Sequence, residues 1–271
     1  MTPRWTSPLT GSQVYEADAR LVAATLPPGC ASLAILDGPY GLFKAAWDRI
    51  PRGGTLADLY QGHLDDVGRV CAASASLYLW NTSAGWAELH PHILARGWTF
   101  RSLIVWHKTG ANPALIGSAS ASEWPDVTEV CGMYHRGDAQ HSNDGTSNVW
   151  AFSPTGMGDE RLYAPEMAAH RVTGAMQRVG LHPCQKPLIF AERMIRASSR
   201  PGDLVFVPFG GTLRELVAAE RMARLDPAEG RKAITCELNQ DGRDYIGAAL
   251  EQIGAEVRPK GGQVGLFGAT L

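Results

Sequence analysis

The sequence contains no Cys-x-x-Cys pair. Its five cysteines, Cys30, Cys71, Cys131, Cys184 and Cys236, are scattered and odd in number, which argues against a disulfide framework and a structural zinc site and fits a reducing compartment. No stretch approaches the ~18 apolar residues of a membrane span. The first residues, Met1-Thr2-Pro3-Arg4-Trp5, hold no apolar signal region, so a soluble, cytoplasmic protein is expected. Positive charge is not in excess either: 25 Lys and Arg stand against 27 Asp and Glu, a net charge of -2. A nucleic-acid partner would therefore be held by a local patch rather than by the chain as a whole. No internal repeat is visible.

What is present is the material of a packed domain. At 271 residues and 45% hydrophobic, the chain has enough apolar side chains for a sizeable core. Leu33-Ala34-Ile35-Leu36 reads as a buried strand that ends on Asp37 and turns through Gly38-Pro39-Tyr40-Gly41. Before it, Asp18 opens a helical pattern with Leu21, Val22 and Leu26 on one face; Asp18 suits an N-cap. After it come a helix from about Leu56 to Ala73, a strand at Ser76–Asn81, a helix over Ala84–Arg96 and a strand over Phe100–Trp106. This alternation predicts an α/β fold with a doubly wound, mostly parallel sheet.

From Lys108 the pattern breaks. Residues 109–180 are rich in Ser, Gly, Asn, Asp and His, with isolated apolar pieces at Val127–Tyr134 and Asn148–Phe152, and so long a departure reads as a functional insertion. Alternation then returns: helix Leu188–Ser198, strand Leu204–Val207, helix Leu213–Met222, strand Lys232–Glu237 and helix Asp241–Ile253. The expected organisation is 1–108 as one half of a domain, 109–180 as the insertion, 181–257 as the second half and 258–271 as a Gly-rich tail.

Three strand ends carry candidate chemistry, because ligands of open α/β sheets bind off the C-terminal edge. The first is Asp37–Gly41, although Asp, Gly and Pro also make ordinary turns. The second is Pro208-Phe209-Gly210-Gly211-Thr212, where glycines admit a ligand to the backbone at a helix N-terminus. This loop lacks the full Gly-x-Gly-x-x-Gly spacing and the Lys of a phosphate loop, so a plain strand–helix turn fits it as well. The third is Glu237, an acid placed as ribose-binding acids are in dinucleotide folds, or simply a surface acid. His182-Pro183-Cys184-Gln185-Lys186-Pro187 adds a rigid segment between two prolines, of which helix initiation explains only Pro187.

Taken in order, these segments resemble the S-adenosylmethionine-dependent DNA amino-methyltransferases of restriction–modification and phage type, in the beta-class circular order. That family carries an Asp-Pro-Pro-Tyr-like catalytic motif, a target-recognition insertion, a His-Pro-x-Gln-Lys-Pro string and a glycine motif; the counterparts here are Asp37–Tyr40, 109–180, His182–Pro187 and Pro208–Gly211. The resemblance spans about residues 12–252 and implies a Rossmann-like methyltransferase sheet. It departs from the family at Gly38, which replaces the first Pro of the catalytic motif, and in the glycine motif, where Val207, Thr212, Leu213 and Arg214 stand for Asp, Ser, Gly and Thr.

The resemblance implies transfer of a methyl group from S-adenosyl-L-methionine to the exocyclic amine of a flipped base in double-stranded DNA. Asp37 and the Gly38 carbonyl would accept the amine N–H bonds, with Pro39 and Tyr40 completing the motif and Tyr40 stacking on the base. Asp18, Asp37, His182, Gln185, Lys186, Pro208, Phe209, Gly210, Gly211, Thr212 and Glu237 would hold the cofactor. Trp106, Lys108, His135, Arg136, His141, Arg171 and Arg178 are candidates for DNA contacts, each with a structural alternative: core packing for Trp106, a solvated face for the others. The acid at position 37 favours adenine N6, with cytosine N4, an RNA-directed relative or a relative that only binds DNA or cofactor as alternatives. Because the family uses the carbonyl at position 38, Gly38→Pro is expected to retain activity. A homodimer is a further partner expectation. Gln263-Val264-Gly265-Leu266-Phe267 resembles a sliding-clamp-binding pentapeptide; docking of Leu266 and Phe267 on the body is the other reading.

Overall fold

The structure is a computed structural model that describes residues 1–43, 47–50, 52–108, 127–142, 145–152, 185–238 and 244–256. Its strands are β1 (Trp5–Thr6), β2 (Gln13–Glu16), β3 (Ala31–Leu36), β4 (Cys71–Asn81), β5 (Thr99–Lys108), β6 (Thr128–His135), β7 (Val149–Phe152), β8 (Leu204–Val207) and β9 (Lys232–Glu237). The helices are α1 (Ala19–Thr25), α2 (Leu56–Val70), α3 (Ser83–Leu94), α4 (Leu188–Ser198), α5 (Arg214–Leu225) and α6 (Tyr245–Glu256).

The strands form one sheet in the order β1-β2-β9-β8-β3-β4-β6-β5-β7. The run β2-β9-β8-β3-β4 is parallel, while β6 runs antiparallel between β4 and β5. The expected doubly wound, mostly parallel sheet is thus observed. β3 lies at its centre, and alternate residues feed opposite faces. Leu33 and Ile35 pack into the core shared with α4, α5 and α6; Ala34 and Leu36 pack into the core shared with α1, α2 and α3. A strand covered on both faces reads as a continuous apolar run, which is why Leu33–Leu36 was visible in the sequence.

Two expectations change. Val127–Tyr134 is not an isolated piece of an insertion: β6 pairs with β4 from Ser76↔His135 to Asn81↔Val130 and with β5 on its other side. Within the 109–180 stretch, β6 and β7 therefore belong to the sheet, and residues 109–126 and 153–180 lie outside the described residues. In α1, Leu21 faces outward and is 59% exposed, whereas Val22 and Ala23 are buried. Among the described residues no helix is long and apolar enough to cross a membrane.

Candidate active site

From β8 the chain moves through α5 to β9 on one side; from β3 it moves through α2 to β4 on the other. Strand order reverses between β8 and β3, and a crevice opens at their C-terminal ends. A cavity of about 500 Å³ occupies it, lined by Asp18, Asp37–Tyr40, Lys108, Gln185, Lys186, Pro208–Thr212 and Glu237. Six chain segments separated in sequence therefore converge on one pocket.

The glycine turn after β8 is built for close approach. Gly210 donates to the Cys236 carbonyl at 2.7 Å, and a Cβ there would meet that oxygen at 2.9 Å. Gly211 donates its N–H to the Glu237 carboxylate at 2.6 Å, so Glu237 braces the turn from the neighbouring strand. Leu213, where the resemblance expects glycine, adopts the left-handed conformation at φ 54° and is fully buried. The turn keeps the backbone a glycine would provide, at a cost of roughly 1 kcal/mol. Asp18 does cap α1, accepting from the Arg20 N–H at 2.8 Å, and it also lines the pocket.

Around Asp37 lies a buried group of charges. Lys186 Nζ donates to Asp37 Oδ1 at 2.9 Å and to the Tyr40 hydroxyl at 3.0 Å, and it pairs with Glu129 Oε2 at 2.9 Å. The Tyr40 hydroxyl lies 3.0 Å from both Asp37 Oδ1 and Glu129 Oε2. Lys108 pairs with the other Glu129 oxygen at 2.7 Å. Burial would raise the Glu129 pKa, but Lys186 and then Lys108 outweigh it and hold the carboxylate down at about 2. Burial alone would lower Lys186; Asp37 and Glu129 overcome that and keep the ammonium charged well above neutrality. Burial, with Asp37 and Glu129 close by, keeps the Tyr40 phenol protonated. The donors from described residues both fall on Oδ1 of Asp37, which fixes the rotation of the carboxylate.

Asp48, buried at 2% exposure, secures the loop after the motif. Its carboxylate accepts from the Tyr40, Gly41 and Leu42 N–H groups at 2.7, 2.7 and 3.1 Å. Glu215, on the first turn of α5, also lines the pocket, and burial followed by the charge of Asp37 raises its pKa to about 7.

Gly38 overturns one expectation. A Cβ at this position would stand 2.6 Å from the Tyr60 hydroxyl and 2.8 Å from the Phe209 ring. Here Tyr60 fills the volume a proline would need, so Gly38→Pro is expected to lose activity. It should also lower Tm by roughly 2–10 °C, the range for overpacking a core of this size. Thermal melts of Gly38→Pro with and without Tyr60→Phe check this, with partial recovery expected in the double variant.

Not every expected residue reaches the pocket. Trp106 is 2% exposed and packs edge-on against Phe190 at 5.4 Å, so it serves the core. His135 and Arg136 sit at the far end of the sheet, because antiparallel β6 starts beside Asn81 and His107 and ends beside Ser76 and Thr99. Arg136 donates to the Gly68 and Arg96 carbonyls, both at 2.7 Å, and lies over the Trp98 ring. His141 packs beside His135 there, with ring centroids 5.7 Å apart. His182, Arg171, Arg178 and Gln263–Phe267 lie outside the described residues. Glu129 and Asp48 were missed. Glu129 looked like one acid among many in a polar stretch, and only the pairing of β6 with β4 and β5 brings it to Lys186.

A switch-point pocket with a glycine turn on one strand and an anchored acid on the next is the arrangement of a Rossmann-like α/β enzyme that holds a nucleoside cofactor. A family profile described as DNA methylase matches residues 31–251. The chain belongs to this family, the S-adenosylmethionine-dependent N6-adenine/N4-cytosine DNA methyltransferases. It is 26% identical over 240 residues to the type II methyltransferase M1.MboII of Moraxella bovis, covering 82% of this chain and 89% of that protein. It is 29% identical over 268 residues to the DNA adenine methyltransferase YhdJ of Escherichia coli, covering 89% and 82%. In structure it resembles the cytosine-N4-specific PvuII DNA methyltransferase, with TM-score 0.68, 16% identity and coverage of 94% and 93%. It also resembles M1.HpyAVI in its SAM complex, with TM-score 0.58, 15% identity and coverage of 89% and 98%.

Proposed function

We propose that this enzyme methylates the N6 amine of adenine in double-stranded DNA, with Asp37 as the acceptor that positions the amine. The observation behind this reading is the Asp37 carboxylate at the end of the central strand, its Oδ1 held by Lys186 and Tyr40. With Oδ1 so engaged, Oδ2 is the oxygen that would accept an incoming N–H. An exocyclic amine is a weak nucleophile because its lone pair is delocalised into the ring. Two acceptors, Asp37 Oδ2 and the Gly38 carbonyl, would draw the nitrogen toward a tetrahedral shape and orient the lone pair. Asp37 is then also the nearest base for the proton the nitrogen must release. Tyr40, its hydroxyl tied at both sides, offers a ring of fixed plane against which a flipped base stacks.

The pocket fits the methyl donor: its volume, the absence of room for a side chain at Gly210 and the buried, unpartnered Gln185 Oε1 suit a ligand with polar groups pressed against the backbone. Bound S-adenosylmethionine supplies an electrophilic methyl group. Asp18 would face its adenine, Glu237 its ribose, and Phe209–Thr212 with Gln185 and Lys186 the remainder. An acid rather than a hydroxyl at position 37 supports adenine over cytosine. Digestion of DNA methylated in vitro, followed by mass spectrometry of the nucleosides, is expected to yield N6-methyladenine; N4-methylcytosine in its place would refute the assignment.

A further inference from the structure

We propose that Glu129 is the counter-charge that lets this pocket accept a cationic methyl donor. The inference deepens the cofactor assignment above and rests on it. Asp37 orients the amine, so the sulfonium that carries the methyl must share the same end of the pocket. That end already contains the Lys186 ammonium, 5% exposed and 2.9 Å from Asp37 Oδ1. Lys108 lines the same cavity and is bound to the same acid as Lys186. The buried Lys186 and the half-buried Lys108 would together repel a third positive group in a medium that screens poorly.

Asp37 and Glu129 together bring the group of four to net neutrality. Of these two acids, only Glu129 touches both lysines, with 2.7 Å to Lys108 and 2.9 Å to Lys186. Its low pKa keeps it charged throughout the working range. Glu129 thus acts as a positioning and charge-balancing residue, not as a proton acceptor. A role confined to packing would affect any ligand of the pocket equally; a charge-balancing role separates the sulfonium donor from its neutral thioether product.

The test is calorimetric titration of S-adenosylmethionine and S-adenosylhomocysteine into the purified, full-length protein without DNA. Glu129→Gln, which leaves the group at net +1, should weaken the sulfonium ligand relative to the thioether by roughly tenfold. Lys186→Gln, at net -1, should move the ratio the other way, and it remains informative should Glu129→Gln fail to fold. The double variant, neutral again, should return the ratio to the wild-type value. Equal losses for both ligands, or a ratio still shifted in the double variant, would overturn the proposal. A wild-type protein that binds neither ligand would overturn the pocket assignment and the proposal together.

Discussion

Asp37→Ala is expected to abolish methyl transfer, with kcat falling by roughly 10³-fold, the scale on which a single group stabilising a transition state acts. The loss should fall on kcat rather than on the hold on the rest of the cofactor. Glu237 and the glycine turn form a separate wall of the pocket, with Gly211 braced at 2.6 Å. S-adenosylhomocysteine binding should therefore survive within a few-fold. Asp37→Glu should not rescue activity, because the extra methylene shifts the carboxylate past the position at which Lys186 and Tyr40 meet Oδ1. Single-turnover kinetics beside product-binding titrations check the split. Near-wild-type transfer by Asp37→Ala would mean that the amine is held elsewhere.

The second large effect is expected at Lys186. Lys186→Met removes the cation between Asp37 and Glu129 and leaves two carboxylates facing each other in a buried site. Breaking a buried pair from one side costs about 3–5 kcal/mol, so stability and activity should fall together, with activity lower by at least ~10²-fold. The pH dependence reports the cause. In the wild type, Lys186 and Lys108 hold Glu129 down at about 2, below the ordinary 4.5 of a glutamate. It therefore contributes stability above pH 4.5, and this contribution is lost as pH falls toward about 2. With Lys186 gone, burial raises the folded-state pKa, and the acid-side loss of stability should begin at higher pH. Thermal unfolding between pH 3 and 8 measures the shift; identical acid limbs in wild type and variant would count against the charge group.

Much of this was legible in the sequence, and the exceptions have physical causes. β3, α4, β8 and β9 stood out because their apolar runs and flanking turns are local signals. Asp37, Lys186 and Glu237 could be placed because each sits at the end of such an element. Glu129 could not: β6 is inserted between two strands that precede it, and strand order across a sheet leaves no periodicity in the chain. The space at Gly38 is equally nonlocal, since Tyr60 approaches from α2 and Phe209 from the turn after β8. Leu213 shows that a motif departure need not change the backbone, for the left-handed turn persists without glycine. Trp106 had two readings open, and packing against Phe190 decides for the core.

The central strand has a consequence for how the enzyme is made. β3 is joined on one side to β4, which follows within about the next forty residues of the chain, and on the other to β8, which begins at Leu204. During synthesis the edge that will receive β8 stays open while some 170 residues are added, at the ~5–20 residues per second of translation. Nascent chains are therefore expected to carry an unpaired, mostly apolar strand edge for several seconds at least, the kind of edge that aggregates or recruits chaperones. Asp37 belongs to an early-synthesised part of the sheet and the glycine turn to a late one, so the pocket is complete only after β8 and β9 have joined β3.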